Sequence, residues 1–471
     1  MTNGLAALAP RALLIMLAAT AGFQMRAYAQ PVASTACPDG AVACELRSGF
    51  AGREGSLAVN SKGSVFLAGL MPKRSAEGEP LEPAGLARLR AGAEQWDKVD
   101  LPRGTDAIIA YVYVDKDTDR LFYTSSTFGS CGLPLGFSDD EGATWHLTKT
   151  GCWPLTLGDW GRIFTGKPVS SRTDGYPNMV YYCNYLPFPT LGPGVGCWKS
   201  KDGGKHFEYT SSPHNFITGC RSRSFTIAGA GVVDPKGVIY LPINACGDMK
   251  LAISRDEGAT WTQAFVPGAR TGNWASQQKD KGQRKCDDEP WSCPTFAQGF
   301  ISDVLSVDTA GNLYLIWSED SLRLSVSRNG GKTWSRNRVV SPPDVKLTQL
   351  VSIAANAPGE VALAYYGKSN SPGWHGYMAR SVNALDAEPA FVTAPISKPD
   401  DPLNPGTCCG HRGYKERGPW LIEYSGVKFA PDGSVWGAFF RDHPQDRIFE
   451  MVAGKMSAPN TATSATTAAM Q

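Results

Sequence analysis

The chain has 471 residues, of which 46 are basic and 44 acidic, and its formal net charge is +2. It contains no run of basic residues, so neither nucleic acid nor an anionic membrane surface is an expected partner. Aromatic residues make up 10%, glycine and proline are frequent, and long helical periodicity is missing after the first residues. These features favour an all-β fold, which can reach this length as one repeated domain.

The first residues have the order of a secretory signal. Arg11 precedes the apolar run ALLIMLAATAGF, and small residues follow as far as Ala29. This order predicts a signal peptide over residues 1–29, cleaved after Ala29, and the run is short for a membrane span. We expect an exported monomer in the periplasm or outside the cell. Residues 30–47 form an N-terminal segment, and the polar residues 456–471 form a disordered tail.

Cysteine usage agrees with export, because twelve cysteines, an even number, all lie beyond the signal peptide. In an oxidising compartment they predict disulfides rather than metal ligands. Proximity in sequence suggests the pairs Cys37–Cys44, Cys131–Cys152, Cys183–Cys197, Cys220–Cys246 and Cys286–Cys293, and leaves Cys408 and Cys409 adjacent. A vicinal bridge or another pairing scheme would accommodate those two. The CCGH of Cys408 to His411 suggests a metal site, but the six histidines form no second cluster, and we expect no metal.

Strand pairs with tight polar turns recur along the chain. In order they read SLAVNSKGSVFLAG, YVYVDKDTDRLFYTSS, GVVDPKGVIYLPIN, LSVDTAGNLYLIWSED, SIAANAPGEVALAYYG and VKFAPDGSVWGAFFRD. Each alternates with period two and places Asp, Asn or Gly at the turn. The spacing of these phrases predicts a β-propeller of six or seven four-stranded blades.

A short box, Ser-x-Asp-x-Gly-x-x-aromatic, follows several of these strand pairs. It occurs as SDDEGATW, SKDGGKHF, SRDEGATW and SRNGGKTW, and SVNALDAE from Ser381 is a decayed fifth copy. The Asp or Asn side chain can accept backbone N–H bonds, the Gly permits positive φ, and the aromatic ring can fill the wedge between blades. We therefore interpret the acidic residues as structural and not catalytic. The box residues are Ser138, Asp140, Gly142, Trp145; Ser200, Asp202, Gly204, Phe207; Ser254, Asp256, Gly258, Trp261; and Ser327, Asn329, Gly331, Trp334.

These boxes resemble the Asp-box (BNR) repeats of sialidase-like β-propellers, over about Ser48 to Gly454. The resemblance implies one propeller domain over residues 48–455 with disulfide-braced loops, and boxes on the face away from the active site. Glucanases, sortilin-type receptors and photosystem assembly factors share the repeat, so it indicates fold more than function.

Sialidases resemble one another in an arginine clamp for the substrate carboxylate, a Tyr nucleophile with an activating Glu, and an Asp acid/base. Two positions match: Arg53, ahead of SLAVN, corresponds to the first clamp residue, and Tyr424, ahead of SGVKFAPDG, to the nucleophile. No Asp occurs between Asp39 and Asp97, and the strand expected to carry the Glu reads TIAGAGVVDP. The only residue near the third clamp position is Arg380, in poor register. The set of catalytic residues, or catalytic kit, is therefore divergent or absent.

Other residues are candidates for binding, with surface or core packing as the alternative in each case. The arginines are Arg221 and Arg223, at the channel mouth, and Arg412 and Arg417, just before Tyr424. Four tryptophans lie in long loops suited to sugar stacking: Trp153, Trp160, Trp274 and Trp374. The acidic loop at Asp287, Asp288 and Glu289 suggests calcium, but a solvated insertion is the simpler interpretation, and no cofactor is expected.

Three functions remain open. The first is an exported propeller that binds a glycan or glycoprotein with a divergent or absent catalytic kit. The second is an active exo-α-sialidase with a Tyr nucleophile, and the third is a scaffold for protein interaction or assembly. The first is preferred because the acid/base Asp and the activating Glu are both missing.

Overall fold

The computed structural model describes thirteen stretches of the chain. They are residues 37–52, 55–69, 81–102, 109–126, 134–149, 159–186, 194–214, 228–245, 248–270, 303–318, 321–405, 425–443 and 448–458. All of their regular structure is β-strand, in seven sheets of which six have four strands. This confirms the predicted all-β propeller and fixes the number of blades at seven.

The strands of the first four blades are as follows, innermost first. Blade one contains β2 (Leu57–Val59), β3 (Val65–Ala68), β5 (Leu86–Leu89) and β6 (Trp96–Lys98). Blade two contains β7 (Ile109–Asp115), β8 (Arg120–Ser126), β9 (Pro134–Ser138) and β10 (His146–Lys149). Blade three contains β11 (Asp159–Gly166), β12 (Met179–Leu186), β13 (Gly194–Ser200) and β14 (Glu208–His214). Blade four contains β15 (Val232–Val233), β16 (Ile239–Ala245), β17 (Asp248–Ser254) and β18 (Thr262–Arg270).

The last three blades complete the ring. Blade five contains β19 (Leu305–Val307), β20 (Leu313–Ser318), β21 (Leu322–Ser327) and β22 (Arg338–Val339). Blade six contains β23 (Leu347–Ala355), β24 (Val361–Lys368), β25 (His375–Ser381) and β26 (Val392–Pro395). Blade seven contains β27 (Gly426–Phe429), β28 (Val435–His443), β29 (Ile448–Met456) and β1 (Ala43–Ala51), with the two-residue β4 (Glu82–Pro83) paired in parallel to β1.

The seven innermost strands contact one another in sequence order, and the last of them, β27, contacts the first, β2. They therefore form a closed ring around a central channel. The N-terminal strand β1 pairs antiparallel with β29, so the two ends of the chain share blade seven. Because β1 serves as its fourth strand, blade seven is as complete as the other blades.

Salt bridges reinforce this closure. Glu450 on β29 is fully buried and accepts hydrogen bonds from Arg47 on β1 and from the backbone N–H of Gly49. Arg441 on β28 pairs with Glu45 on β1 and with Asp401, at 2.6 Å from the latter. Both clusters link the N-terminal strand β1 to the C-terminal strands β28 and β29. They therefore stabilise the ring at blade seven, where no covalent connection closes it.

The turns between first and second strands are fixed by side chains. Asp234 accepts backbone N–H bonds from Lys236 and Val238, both at 2.9 Å, and Asp308 accepts the same two bonds in blade five. Tyr314 donates to the other carboxylate oxygen of Asp308 at 2.7 Å. The polar residue that the sequence places at each turn thus replaces the backbone partner that the turn lacks.

The boxes form the turns between third and fourth strands. In the first box, Ser138 Oγ accepts the N–H of Gly142 at 2.8 Å and Asp140 accepts that of Thr144, also at 2.8 Å. The boxes of blades three, four and five make the equivalent bonds from Ser200 and Asp202, Ser254 and Asp256, and Ser327 and Asn329. Hydrogen bonds from Thr144 lower the pKa of Asp140 to about 2.

Each box also meets the preceding blade. Gly142 has φ of 89°, and a β-carbon there would come within 2.6 Å of Val99 in blade one. Trp261, which follows the blade-four box, donates its indole N–H to Ser211 of blade three at 2.8 Å. The box therefore joins neighbouring blades as well as closing a turn within one blade.

The fifth copy is an expanded box in blade six. Ser381 Oγ lies 3.1 Å from Asn383 Oδ1, as Ser327 does from Asn329. The acceptor oxygen of Asn383 is reached by Ala390, seven residues on, whereas that of Asn329 is reached by Thr333, four residues on. Three residues have thus been added to the turn. Phe391, just before β26, packs against the core where the other copies place Trp or Phe.

Two of the predicted disulfides lie within the described residues and are confirmed. Cys37 pairs with Cys44 at the start of β1, and Cys183 pairs with Cys197 across β12 and β13, with Cα atoms 4.2 Å apart. The remaining cysteines (131, 152, 220, 246, 286, 293, 408 and 409) lie outside the described residues. No helix in the described part of the chain is long and apolar enough to cross a membrane.

Candidate functional site

The face opposite the boxes carries the connections between blades and those between second and third strands. This follows from the antiparallel order within each sheet; we call it the loop-bearing face. Most residues that the sequence singles out for catalysis or binding lie outside the described residues: Arg53, Tyr424, Arg221, Arg223, Arg412, Arg417, Trp153 and Trp274, with the acidic residues Asp287, Asp288 and Glu289. Trp160 belongs to β11, but its side chain is also outside the described part.

The described residues place a charged cluster in the central channel. Lys428 on β27 donates to Asp303, just ahead of β19, with Nζ 2.7 Å from Oδ2. These residues belong to blades seven and five, which are not neighbours. The backbone carbonyl of Asp303 accepts the N–H of Ile353 on β23 at 2.8 Å, and this bond fixes the position of the carboxylate. Asp303 is 5% exposed.

Two further inner strands, β7 and β11, contribute Tyr111 and Arg162. Together with Asp303 and Lys428 these residues form what we call the channel cluster. Tyr111 on β7 directs its hydroxyl to Asp303 Oδ1 across the channel, with a long separation of 3.4 Å. The guanidinium of Arg162 on β11 stands 4.7 Å from the centre of the Tyr111 ring. Such cation–π contacts gain strength when water is excluded, and Arg162 is 1% exposed.

The protonation state of Tyr111 follows from this environment. Burial raises the pKa of its hydroxyl well above the usual range, and the negative charge of Asp303 raises it further. The nearby Arg162 acts in the opposite direction but does not outweigh these effects. Tyr111 is therefore a protonated hydrogen-bond donor at neutral pH, and a tyrosinate nucleophile is disfavoured at this position.

The chemical capacity of the channel cluster is that of a recognition site. Asp303 accepts hydrogen bonds from both Lys428 and Tyr111, so both of its carboxylate oxygens are already engaged within the protein. Lys428 is the most accessible member, with 29% of its side chain exposed. The ammonium group of Lys428, with the buried guanidinium of Arg162 in the same cluster, would attract a negatively charged group on a ligand.

Ser425, the residue after Tyr424, lies at the ring of innermost strands. Ser425 Oγ donates to the carbonyl of Leu350 at 2.6 Å and lies 2.7 Å from Ser352 Oγ on β23. Leu350 has φ of 50° at the irregular part of that strand. These contacts anchor the start of β27 against blade six.

Arg380, the candidate for a third clamp arginine, lies at the wrong end of its strand. It forms a salt bridge with Glu360 and donates to the carbonyl of Gly433 at 2.7 Å. Both partners belong to turns between first and second strands, on the box-bearing face. The strand register of β25 thus excludes Arg380 from the loop-bearing face, and the sequence-based assignment is corrected.

The assignment of Trp374 as a surface ring for ligand stacking is also corrected, because the structure places it in the core. It is fully buried, and its backbone N–H donates to the carbonyl of Asn404 at 2.7 Å. The two residues form an isolated antiparallel bridge, and Lys368 Nζ lies 5.9 Å from the centre of the indole ring. The described residues contain no group of three or more His, Cys, Asp and Glu side chains that could hold a metal ion.

The sequence reasoning missed all four members of the channel cluster. The available signal was charge within otherwise apolar inner strands: Arg162 in GRIF, Asp303 in SDVLSV and Lys428 in GVKF. A single charged residue on a strand usually faces solvent, so each of these signals is weak until closure of the ring brings the strands together.

Comparison with known proteins gives similarity of fold. No protein-family model matches the chain, and no curated protein matches it significantly. Among solved structures, YCF48 from Cyanidioschyzon merolae has a TM-score of 0.47 at 12% identity, covering 89% of this chain and 100% of that one. The NanB sialidase from Streptococcus pneumoniae has a TM-score of 0.45 at 11% identity, with 84% and 82% covered.

A protein of unknown function from Dyadobacter fermentans has a TM-score of 0.44 at 12% identity, covering 88% of this chain and 99% of that one. At such identities and TM-scores, the similarities assign neither an activity nor a ligand. The chain is a seven-bladed β-propeller, and its fold is similar to those of sialidases and of YCF48.

Proposed function

We propose that the protein is an exported β-propeller that binds an acidic glycan or glycoprotein on its loop-bearing face and does not hydrolyse it. The observation that carries the proposal is the ion pair between Lys428 and Asp303 in the channel, 2.7 Å long. A carboxylate already engaged by a lysine and a tyrosine is a poor general acid or base. The only tyrosine in this cluster, Tyr111, has a raised pKa and is a poor nucleophile.

The cationic border of the channel supports the choice of an acidic ligand. Lys428 is partly exposed and Arg162 lies within the same cluster. An anionic sugar entering from the loop-bearing face would gain charge-assisted hydrogen bonds there, which are stronger than neutral ones. Export is part of the proposal and is supported by the two disulfides, because such bonds persist in oxidising compartments.

Turnover of a fluorogenic α-sialoside by the purified mature protein tests the enzymatic part. We expect none, in a sample shown by circular dichroism to be folded. Turnover that disappears in Tyr424→Phe would instead establish an exo-sialidase.

Binding is tested with immobilised sialylated glycans and their desialylated counterparts. We expect preference for the sialylated forms and a loss of about 10- to 150-fold in Lys428→Met, since one charge-assisted hydrogen bond contributes roughly 1.5–3 kcal/mol. Lys332→Met is the matched control, because Lys332 is an exposed lysine in the blade-five box, on the opposite face. Equal binding of both glycan sets, or equal losses in both variants, would reject the acidic-glycan proposal.

A further inference from the structure

A separate cleft opens on the box-bearing face, between blades five and six. Its volume is about 270 Å³. Leu324, Val326 and Trp334 contribute apolar surface, whereas Arg328, Arg338 and Asp386 contribute donors and acceptors. The cleft thus combines an apolar interior with a polar border. Its residues belong to outer strands and their turns, whereas the channel cluster belongs to the inner strands.

The expanded box of blade six accounts for the cleft. In the compact boxes the glycine is packed directly on the preceding blade: a β-carbon at Gly204 would come within 2.9 Å of Phe122, and one at Gly258 within 3.1 Å of Thr210. No such glycine is present in the expanded turn, and Ala384, Leu385, Asp386 and Pro389 line the cleft together with residues of blade five. The expanded turn therefore lacks the glycine-on-blade contact that closes this position in the compact boxes.

The wall of the cleft is held in place by its arginines. Arg328 donates to the carbonyl of Leu385, and Arg338 forms a salt bridge with Glu388. Both bonds run from blade five to the expanded turn of blade six. They position two guanidinium groups, each with several N–H donors, at the border of the cleft.

The indole of Trp334 supplies a second observation. Its Nε1 is buried and has no acceptor among the described residues, whereas the equivalent atom of Trp261 donates to Ser211. Buried donors are normally satisfied, so an acceptor atom from a ligand or from water would complete this site. Trp145 Nε1, in blade two, is likewise without an acceptor in the described part of the chain, which makes that residue a useful control.

We propose that this cleft binds one neutral pyranose residue of a glycan. A pyranose ring has an apolar face for Trp334, Leu324 and Val326, and hydroxyl groups that can pair with Arg328, Arg338 and Asp386. The volume lies just below the range for drug-sized ligands, so it suits a single ring. Asp386 and Glu388, which pairs with Arg338, balance the charges of the two arginines, so the border of the cleft favours a neutral occupant over an anion. This site is independent of the proposed function of the loop-bearing face.

The test is ligand-observed NMR with the mature protein and free glucose, galactose, mannose and N-acetylglucosamine. We expect at least one of them to bind. Trp334→Phe should weaken its binding about fivefold through loss of the N–H donor. The ring should still be accommodated, because Phe207 occupies the same box position in blade three. Trp145→Phe makes the same change outside the cleft and should leave the affinity unchanged.

Three outcomes would overturn the inference: no sugar bound by the folded protein, equal affinity in Trp334→Phe and the wild type, or equal losses in the Trp334 and Trp145 variants. Lys428→Met separates the two faces of the propeller. If the monosaccharide signal depends on Lys428 and not on Trp334, the sugar occupies the loop-bearing face and the cleft is not its site.

Discussion

Lys428 and Asp303 form an ion pair between two blades that are not neighbours in the ring, with Nζ and Oδ2 2.7 Å apart. The pair links β27 to the residue ahead of β19, while β23 lies between them in the ring. Tyr111 reaches the same carboxylate from blade two. A single carboxylate thus connects inner strands from three blades, which makes the channel cluster a structural as well as an electrostatic centre.

This arrangement predicts a non-additive response to substitution. Asp303→Asn leaves Lys428 without its anion, and we expect a loss of about 1–3 kcal/mol in the free energy of unfolding, less than for a fully buried pair because Lys428 is partly exposed. The double variant Asp303→Asn with Lys428→Met should lose less than the sum of the single losses. Denaturant unfolding of all four proteins measures the coupling, and strict additivity would contradict it.

Glu257 provides the second prediction. The residue follows the box Asp of blade four, is 1% exposed, and accepts the backbone N–H groups of Val169, Ser170 and Ser171 in blade three at 2.9–3.0 Å. Burial opposes its ionisation, but these bonds and that from the Ser171 hydroxyl prevail and lower its pKa to about 2. We expect Glu257→Gln to cost about 1–3 kcal/mol in the free energy of unfolding.

The pH dependence gives an independent measurement. Because the folded pKa of Glu257 is below the ordinary value of about 4.3, its stabilising effect is complete above that value and is lost as pH falls towards 2. Acid unfolding of Glu257→Gln should therefore show a smaller loss of stability over this range than the wild type. Glu141→Gln is the matched control, since Glu141 occupies the same place in the first box but accepts from the side chains of Asn60 and Ser64 instead. An equal effect of both substitutions would argue against a special role for the backbone bonds.

The boxes could be predicted from sequence because their determinants are local. Ser138, Asp140, Gly142 and Thr144 lie within seven residues, and the bonds among them need no distant partner. The partners of Glu257 lie 86 to 88 residues away, so the link between blades could not be derived from the motif. The channel cluster was inaccessible for the same reason, because only closure of the ring brings residues 111 and 303 together.

Trp374 shows the opposite error and gives the third prediction. Its sequence context, SPGWHGY, suggests a loop, but Trp374 is bridged to Asn404, is fully buried and packs in the hydrophobic core. We expect Trp374→Ala to lower the free energy of unfolding by about 3–5 kcal/mol, as for other large buried residues. Trp374→Phe should recover part of this loss, and in this folded variant glycan binding should be unchanged. A stable Trp374→Ala protein with impaired glycan binding would restore the surface interpretation.

The closure of blade seven gives the last prediction. Glu450 is fully buried between Arg47 and His443, whose Nε2 is 3.1 Å from Glu450 Oε2. Substitution by Gln removes the negative charge that pairs with Arg47 and should cost about 1–3 kcal/mol, less than for a fully buried pair because the Arg47 side chain is 29% exposed. Because Arg47 belongs to the N-terminal strand, the damage should appear first as faster hydrogen exchange in β1 and β29, before global unfolding. Glu388→Gln is the control, since Glu388 also pairs with an arginine but its side chain is 85% exposed, and a surface pair contributes about 1 kcal/mol or less. Uniform acceleration of exchange in all seven blades would mean that the salt bridges stabilise the propeller as a whole and not its closure.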